Sequence, residues 1–137
     1  MLLLPDAEER LNATYLPFEE LIKTCDYVVC LTPLTPETKL LFDGNAFKSM
    51  KKNAIFINAS RGAVVDEQAL IHAIEQGEIA GAGLDVFTKE PISSDHALLK
   101  FPQVVALPHI GSSSIETRHA MIELVCQNVK SVLCDNQ

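Results

Sequence analysis

The fold is decided by residues 54–62, which read AIFINASRG. The opening run is apolar and rich in isoleucine and phenylalanine, which is typical of a buried β-strand. Short polar residues, an arginine and a glycine follow at once, and this change indicates a loop at the carboxyl end of the strand. An arginine displayed from such a loop is a candidate for binding an anionic group, because its planar fork of donors matches a carboxylate.

Two later segments repeat this arrangement. Residues 84–91 read LDVFTKEP and residues 108–112 read PHIGS, and each follows a short apolar run that we interpret as a strand. Open parallel sheets bind ligands at the carboxyl ends of their strands. We therefore expect Arg61, Glu90 and His109 to belong to one site, although each taken alone would be an ordinary surface or loop residue.

The pattern along the chain indicates the fold class. Apolar runs alternate with segments of helical period, which predicts βαβ units and a parallel sheet. The expected class is therefore α/β, with a Rossmann-like sheet flanked by helices. The predicted strands cover residues 27–31, 54–57, 83–85 and 104–107.

Capping residues predict where the helices begin. Thr35, followed by proline and glutamate, has the composition of a helix start. Asp66 is the predicted cap of a helix that ends at Gly77. Ser113 and Glu116 form a capping-box pattern that opens a long final helix, whose apolar stripe we expect to be buried.

Composition limits the function classes. The chain has 137 residues, 47% of them apolar, and a formal net charge of −7. This size fits one domain, and the charge argues against nucleic acid as a partner. No apolar stretch is long enough for a membrane span, so we expect no membrane association.

Cysteine and histidine patterns give no metal site. The four cysteines lack C-x-x-C spacing and the four histidines lack H-x-x-x-H spacing. We interpret the cysteines as reduced thiols in core positions, which indicates a cytoplasmic protein without disulfides or bound metal.

The three candidate residues suit a reaction on a carboxylate-bearing carbonyl compound. Arg61 would bind the carboxylate and polarise the neighbouring carbonyl. His109 would protonate the carbonyl oxygen as hydride arrives at carbon. Glu90, held extended before a proline, would favour the imidazolium form of His109.

The flanks of these residues carry a resemblance to a known family. The sequence is ASRGAVVDEQAL over residues 59–70, AGLDVFTKEP over residues 82–91 and PHIGSS over residues 108–113. Together these segments resemble the nucleotide-binding domain of the D-isomer-specific 2-hydroxyacid dehydrogenases. Within that family the chain is most similar to the glyoxylate/hydroxypyruvate (2-ketoaldonate) reductase branch.

The resemblance implies an activity and a set of site residues. It implies that NAD or NADP carries hydride to a small 2-keto acid, giving a D-2-hydroxy acid, in a parent protein that is a homodimer. Arg61 would orient the substrate, His109 would be the acid/base, and Glu90 would tune it. The implied cofactor-binding residues are Thr32 and Pro33 along the adenosine side, Ala59 and Ser60 near the nicotinamide ribose, Asp85 at the nicotinamide end, and Arg61, His109 and Gly111.

The chain also departs from the family pattern. The G-x-G-x-x-G phosphate loop is absent from its 137 residues, and so is the substrate domain. We therefore interpret residues 1–137 as a partial dinucleotide-binding domain without its first βαβ unit. The family order would make residues 13–16 the third strand and would leave residues 27–31 as an exposed apolar edge.

A partial domain leaves two function classes open. The first is an oxidoreductase fragment that is inactive on its own. The alternative is a non-catalytic nucleotide-sensing or scaffolding member of the same fold, or an inactive remnant. Sequence upstream of Met1 would separate these interpretations, since a phosphate loop and a substrate domain would restore the enzyme.

Overall fold

The computed structural model describes residues 5–134, with side chains from Glu8 onward, and its centre is a parallel four-stranded sheet. The strands lie side by side in chain order. Every neighbouring pair is parallel, and Val28 is paired with Phe56, which in turn is paired with Ala82. The predicted Rossmann-like α/β fold is confirmed. The strands are β1 (Tyr27–Cys30), β2 (Ile55–Asn58), β3 (Gly81–Leu84) and β4 (Val104–Ala106).

Helices and helical turns connect the strands. Each crossover from one strand to the next contains at least one helical segment, as parallel pairing requires. The α-helices are α1 (Pro5–Leu11), α2 (Phe18–Thr24), α3 (Gly44–Ser49), α4 (Glu67–Glu75) and α5 (Ile115–Cys134), and short 3₁₀ helices span Gly62–Val64 and Ala97–Lys100.

One face of the sheet carries the hydrophobic core. Val28, Cys30 and Phe56 alternate along their strands with exposed or half-buried residues and are all at most 2% exposed. The ring of Phe56 lies 4.6 Å from that of Phe42 and 5.3 Å from that of Phe47, between centroids. These rings join the sheet to α3, so the strand ends that carry the candidate residues rest on a packed base.

The opposite face of the sheet is open. Tyr27 is 70% exposed, Val29 is 52% exposed and Val105 is 63% exposed. β1 is also an edge strand, so the predicted apolar edge at residues 27–31 is present.

Two predicted elements are absent. Residues 13–16 form no strand, because no strand of the sheet pairs with them. The N–H of Ala13 instead donates to the carbonyl oxygen of Glu8 at 2.9 Å. Thr35 starts a single turn rather than a helix, with Lys39 N–H bonded to its carbonyl at 3.0 Å. The turn ends at Leu40, where φ is +55° and the N–H bonds to Ala63.

The capping predictions had mixed success. Asp66 caps α4 as predicted, accepting bonds from two backbone N–H groups, and Gly77 ends that helix region with φ of +64°. Asp43 caps α3 in the same way, although the sequence analysis did not predict α3. The cap of α5 is Ser114 rather than Ser113, since the Ser114 hydroxyl accepts the Thr117 N–H at 3.1 Å.

The prediction that α5 has a buried side was wrong. All residues of this helix are exposed, including Ile122 at 62% and Val125 at 61%, because the rest of residues 5–134 does not cover its apolar stripe. Two of the cysteines, Cys126 and Cys134, are consequently exposed rather than in the core, and all four cysteines are free. Among the described residues, no helix combines the length and hydropathy of a membrane span.

Candidate functional site

The Arg61 loop is built on a buried asparagine at the end of β2. Asn58 is 1% exposed, and its Oδ1 accepts hydrogen bonds from the N–H and the hydroxyl of Ser60, both at 3.0 Å. Its Nδ2 donates to the carbonyl oxygen of Arg61 at 3.1 Å. One side chain thus fixes the backbone on both sides of the Ser60–Arg61 peptide, a role that sequence reasoning missed. The signal was an asparagine directly after a strand, where its amide can bond to the following backbone.

The hollow beside this loop contains five of the predicted cofactor residues. Ser60 Oγ lies 3.3 Å from Cys30 Sγ, which in turn lies 3.4 Å from Thr32 Oγ1. Arg61 is exposed, and its Nη1 donates to the carbonyl of Ser60 at 2.6 Å. The hollow has a volume of about 410 Å³ and is lined by Leu31, Thr32, Pro33, Leu34, Ala59, Ser60 and Arg61.

Gly62 brings the Arg61 loop against the loop that carries Glu90. A Cβ atom placed on Gly62 would overlap the backbone of Phe87 and Thr88. Only glycine permits this approach of two chains. The backbone after Arg61 and the backbone before Glu90 are therefore in direct contact.

Glu90 and His109 are joined by a side-chain hydrogen bond. Glu90 Oε2 lies 2.8 Å from His109 Nδ1, and Glu90 Oε1 accepts the Phe87 N–H at 2.8 Å. The hydrogen bond from His109, with that of Phe87 second, holds the pKa of Glu90 below its usual value of 4.5. The predicted pairing of this acid with this histidine is thus present, and it leaves His109 Nε2 available to another group.

The backbone of His109 is held in an unusual conformation. Its φ is +56°, in the left-handed region that non-glycine residues seldom adopt. Asp85 follows β3 and accepts the N–H groups of Ile110 at 2.8 Å and Gly111 at 2.9 Å, one on each carboxylate oxygen. These two bonds stabilise the turn that follows His109.

The Asp85 geometry adds a role to the one predicted for it. Both of its carboxylate oxygens bond to the 110–111 backbone, so Asp85 organises the histidine loop. Contact of Asp85 with the nicotinamide end of a cofactor stays a prediction, as do the cofactor contacts of Thr32, Pro33, Ala59, Ser60 and Gly111.

Two further hollows lie along the carboxyl ends of the strands. The first, of about 410 Å³, is lined by Asp85, Glu90, His109 and a mainly apolar wall that includes Leu107. The second, of about 280 Å³, lies between the first and the Arg61 hollow, sharing Asp85 with one and Ala59 with the other. The structure therefore pairs Glu90 with His109 but places Arg61 in a separate hollow, with the middle hollow between the two. Among the described residues, no group of three or more histidine, cysteine and acidic side chains could hold a metal.

Comparison with known proteins assigns the chain to a family. The family described as "D-isomer specific 2-hydroxyacid dehydrogenase, NAD binding domain" matches residues 3–111. The chain belongs to this family. Its resemblance to the 2-hydroxyacid dehydrogenases is thereby confirmed.

Individual 2-hydroxyacid dehydrogenases extend the match. Glyoxylate/hydroxypyruvate reductase B of Escherichia fergusonii is 52% identical over 132 residues, which are 96% of this chain and 41% of that protein. The crystal structure of an NADPH-dependent glyoxylate/hydroxypyruvate reductase from Sinorhizobium meliloti, in complex with NADP and malonate, matches with a TM-score of 0.85. That match has 39% identity and covers 92% of this chain and 40% of that one.

A third 2-hydroxyacid dehydrogenase contains the other nicotinamide cofactor. The crystal structure of D-lactate dehydrogenase with NAD⁺ from Lactobacillus jensenii matches with a TM-score of 0.88 and 32% identity, covering 96% of this chain and 43% of that one. The chain thus spans less than half the length of each of these relatives.

The middle hollow has a flat, apolar floor. Its floor combines Ile57, Gly83 and Val105 from adjacent strands, and a Cβ on Gly83 would meet Ile57 at 3.6 Å. Glycine at this point leaves a flat apolar surface, which suits an aromatic ring. Backbone N–H groups in a G-x-G-x-x-G turn commonly bind a pyrophosphate, but this motif does not occur in the sequence of 137 residues.

Proposed function

We propose that this chain supplies the acid/base pair and the substrate-binding arginine of an NAD(P)H-dependent reductase that converts a 2-keto acid to a D-2-hydroxy acid. The observation that carries the proposal is the 2.8 Å contact between Glu90 and His109 at the carboxyl ends of the strands. A histidine oriented by a carboxylate is a common arrangement for general acid/base catalysis, because the carboxylate fixes the tautomer and stabilises the charged ring.

The proton transfer is assigned to His109 Nε2. His109 Nδ1 is occupied by Glu90, so the ring can present only its other nitrogen to a substrate. In the reduction direction, protonated Nε2 gives its proton to the carbonyl oxygen of the keto acid. The contact of Nδ1 with Glu90 orients the ring, and the bond of Asp85 to the following turn holds the backbone beside it.

Arg61 is assigned to the substrate carboxylate. Its guanidinium has five N–H donors, of which Nη1 uses one on the carbonyl of Ser60, so the remaining donors can form a paired contact with a carboxylate. The two hydrogen bonds of the Asn58 side chain, to the Ser60 N–H and to the Arg61 carbonyl, form what we call the Asn58 clamp. This clamp fixes the backbone from which the Arg61 side chain extends.

The reaction is completed by the cofactor. NADH or NADPH, when bound, supplies the hydride for the keto carbon. That hydride and the proton from His109 together convert the carbonyl to a secondary or primary alcohol, depending on the substrate. Small 2-keto acids such as glyoxylate and hydroxypyruvate are the proposed substrates, in keeping with the relatives described above.

A grafting experiment tests the proposal. This chain would replace the matching 132-residue segment of the Escherichia fergusonii reductase, and the purified hybrid would be assayed for NADPH- and NADH-dependent reduction of glyoxylate and hydroxypyruvate. We expect turnover of both keto acids and formation of D-glycerate from hydroxypyruvate. A hybrid that folds and binds NADPH but gives no turnover would contradict the proposal and favour the nucleotide-sensing alternative.

The isolated chain serves as the comparison for the hybrid. Since the 137 residues contain no phosphate-binding glycine turn, we expect weak NADH and NADPH binding and no glyoxylate reduction from this chain alone. Calorimetric titration with both cofactors measures this. Micromolar binding would show that other residues anchor the pyrophosphate.

A further inference from the structure

We propose that Glu67 and His96 are positioning residues for the Glu90–His109 pair and act through the backbone of Phe87 and Thr88. The inference rests on the proposed function, because that function gives Glu90 and His109 their catalytic roles. Its own basis is a second glutamate–histidine contact on the other side of the same loop.

Glu67 connects helix α4 to this loop. It is the first residue of α4, directly after the capping Asp66, and its side chain is 18% exposed. Glu67 Oε2 accepts the Thr88 N–H at 2.9 Å, and Glu67 Oε1 lies 3.6 Å from His96 Nε2. The carboxylate therefore joins three separate elements: the start of α4, the 87–90 loop and the turn before the second 3₁₀ helix.

His96 is oriented so that it faces Glu67. Its Nδ1 accepts the N–H of buried Leu98 at 3.3 Å, so the proton of a neutral ring is on Nε2, the atom that faces the carboxylate. The ring also packs edge-on against Phe87, with centroids 5.8 Å apart and planes at 71°. His96 consequently contacts the loop both directly, through Phe87, and through Glu67.

The two glutamates bind consecutive amides of the loop. The Phe87 N–H donates to Glu90 at 2.8 Å and the Thr88 N–H donates to Glu67 at 2.9 Å. Each glutamate uses its second oxygen for a histidine. Gly62 packs directly against the Phe87–Thr88 peptide, so this peptide cannot move toward Gly62. Glu67 restrains the same peptide through the Thr88 N–H, and the peptide that precedes it carries the Phe87 N–H that holds the Glu90 carboxylate.

The exposure of Thr88 distinguishes positioning from stability. Thr88 is exposed, so water can replace Glu67 as the acceptor for its N–H once Glu67 is removed. The loss of stability should then be small, whereas the loop gains freedom and the Glu90 carboxylate loses its fixed direction toward His109.

Nuclear magnetic resonance of the full 137-residue chain tests this inference without turnover. The variants are Glu67→Ala, Glu67→Gln, which keeps an acceptor for Thr88, and His96→Asn, which keeps an acceptor for Leu98. Glu75→Ala is the matched control, since Glu75 lies in the same helix and is exposed. The readouts are amide exchange at Phe87 and Thr88, the ring shifts of His109 and the thermal midpoint.

We expect exchange at Thr88 to rise by about tenfold in Glu67→Ala, as expected for loss of a bond to a charged acceptor. We also expect the His109 ring shifts to move, with smaller changes in Glu67→Gln and His96→Asn and none in Glu75→Ala. If the variants lower the thermal midpoint but leave the His109 shifts and loop exchange as in the control, Glu67 and His96 are merely structural and the inference fails.

The outcome is separable from the proposed function. An inactive hybrid together with a His109 shift in Glu67→Ala would overturn the proposed function and retain the coupling. An active hybrid, together with unchanged His109 shifts in Glu67→Ala, would support the proposed function and overturn the coupling between Glu67 and His109. If Glu67→Ala does not fold, Glu67→Gln and His96→Asn give the same decision.

Discussion

His109 Nδ1 and Glu90 Oε2 lie 2.8 Å apart although their residues are 19 positions apart in the chain. The contact is possible because β3 and β4 are adjacent and parallel, so the loops that follow them meet at the same edge of the sheet. Each loop is also held by a hydrogen bond between a carboxylate and a backbone N–H. The Phe87 N–H donates to Glu90, and the Ile110 N–H in the turn after His109 donates to Asp85.

The lowered pKa of Glu90 predicts a pH-dependent stability. Because its pKa is lower in the folded state than the usual 4.5, the carboxylate stabilises the fold above about pH 4.5, and this contribution is lost as pH falls through the folded pKa. Wild type and Glu90→Gln should therefore differ in free energy of unfolding at pH 7. The two free energies should converge as the pH falls from about 4.5 through the folded-state pKa of Glu90. Urea unfolding across this range measures the difference, and a gap that does not change with pH would show that the Glu90 charge has no role.

Gly62→Ala should destabilise the chain by about 1–3 kcal/mol or more, as expected for overpacking against backbone that cannot move aside. Gly44→Ala is the control. Gly44 is the first residue of α3, and a Cβ added there would lie at an ordinary contact distance, 3.9 Å, from the Cβ of Ala69. The control should be neutral or stabilising by up to about 1 kcal/mol. Equal free energies of unfolding for the two variants would mean that the Arg61 and Glu90 loops are not in contact as described.

Asp85→Asn should loosen the turn after His109. An amide offers one acceptor where the carboxylate offers two, so the N–H groups of Ile110 and Gly111 should exchange faster with solvent. Asp43→Asn is the control, because Asp43 accepts the N–H groups of Asn45 and Ala46 on a single oxygen, Oδ1, which an amide retains. Exchange should speed up at Ile110 or Gly111 in Asp85→Asn and change much less at Asn45 and Ala46 in Asp43→Asn. Unchanged exchange at Ile110 and Gly111 would contradict the assigned role of Asp85.

Arg61→Lys in the grafted enzyme should lower kcat/KM for glyoxylate by about 10², because a point charge does not reproduce the paired contact. Arg118→Lys is the control, since Arg118 is exposed on α5 and bonds only weakly, at 3.3 Å, to Ser113 Oγ. Equal kinetics for the two variants would remove Arg61 from substrate binding.

The sequence was sufficient for the parts of the fold that depend on local pattern. The strands at residues 54–57 and 104–107 were predicted to within about one residue, and Asp66 was correctly identified as a cap. Apolar runs with clear polar boundaries carry enough information for this, since burial of one sheet face and side-chain capping are local requirements.

Predictions that depended on partners failed or were incomplete. The apolar stripe of α5 reads as buried, but burial requires a second surface, and the described residues provide none for it. Residues 13–16 similarly lacked a neighbouring strand. A periodic pattern shows what a segment can cover, not whether a partner is present.

The contact between Glu90 and His109 was predicted, but the groups around it were not. The residue types indicated that Glu90 would favour the imidazolium form of His109, and the structure gives the distance between the two side chains as 2.8 Å. The catalytic roles of Arg61, Glu90 and His109 stay predictions. The Asn58 clamp and the Glu67–His96 contact were not predicted, because they join backbone groups and side chains that only the folded loops bring together.

The role proposed for His109, as the acid/base of a keto acid reductase, is tested by the grafted enzyme carrying His109→Gln. His119→Gln is the control, since His119 is an exposed residue of α5. With glyoxylate and NADPH at saturation, the account predicts that kcat falls by about 10²–10⁴ in His109→Gln and is unchanged in His119→Gln. A His109→Gln enzyme that turns over glyoxylate as fast as the control would contradict the account.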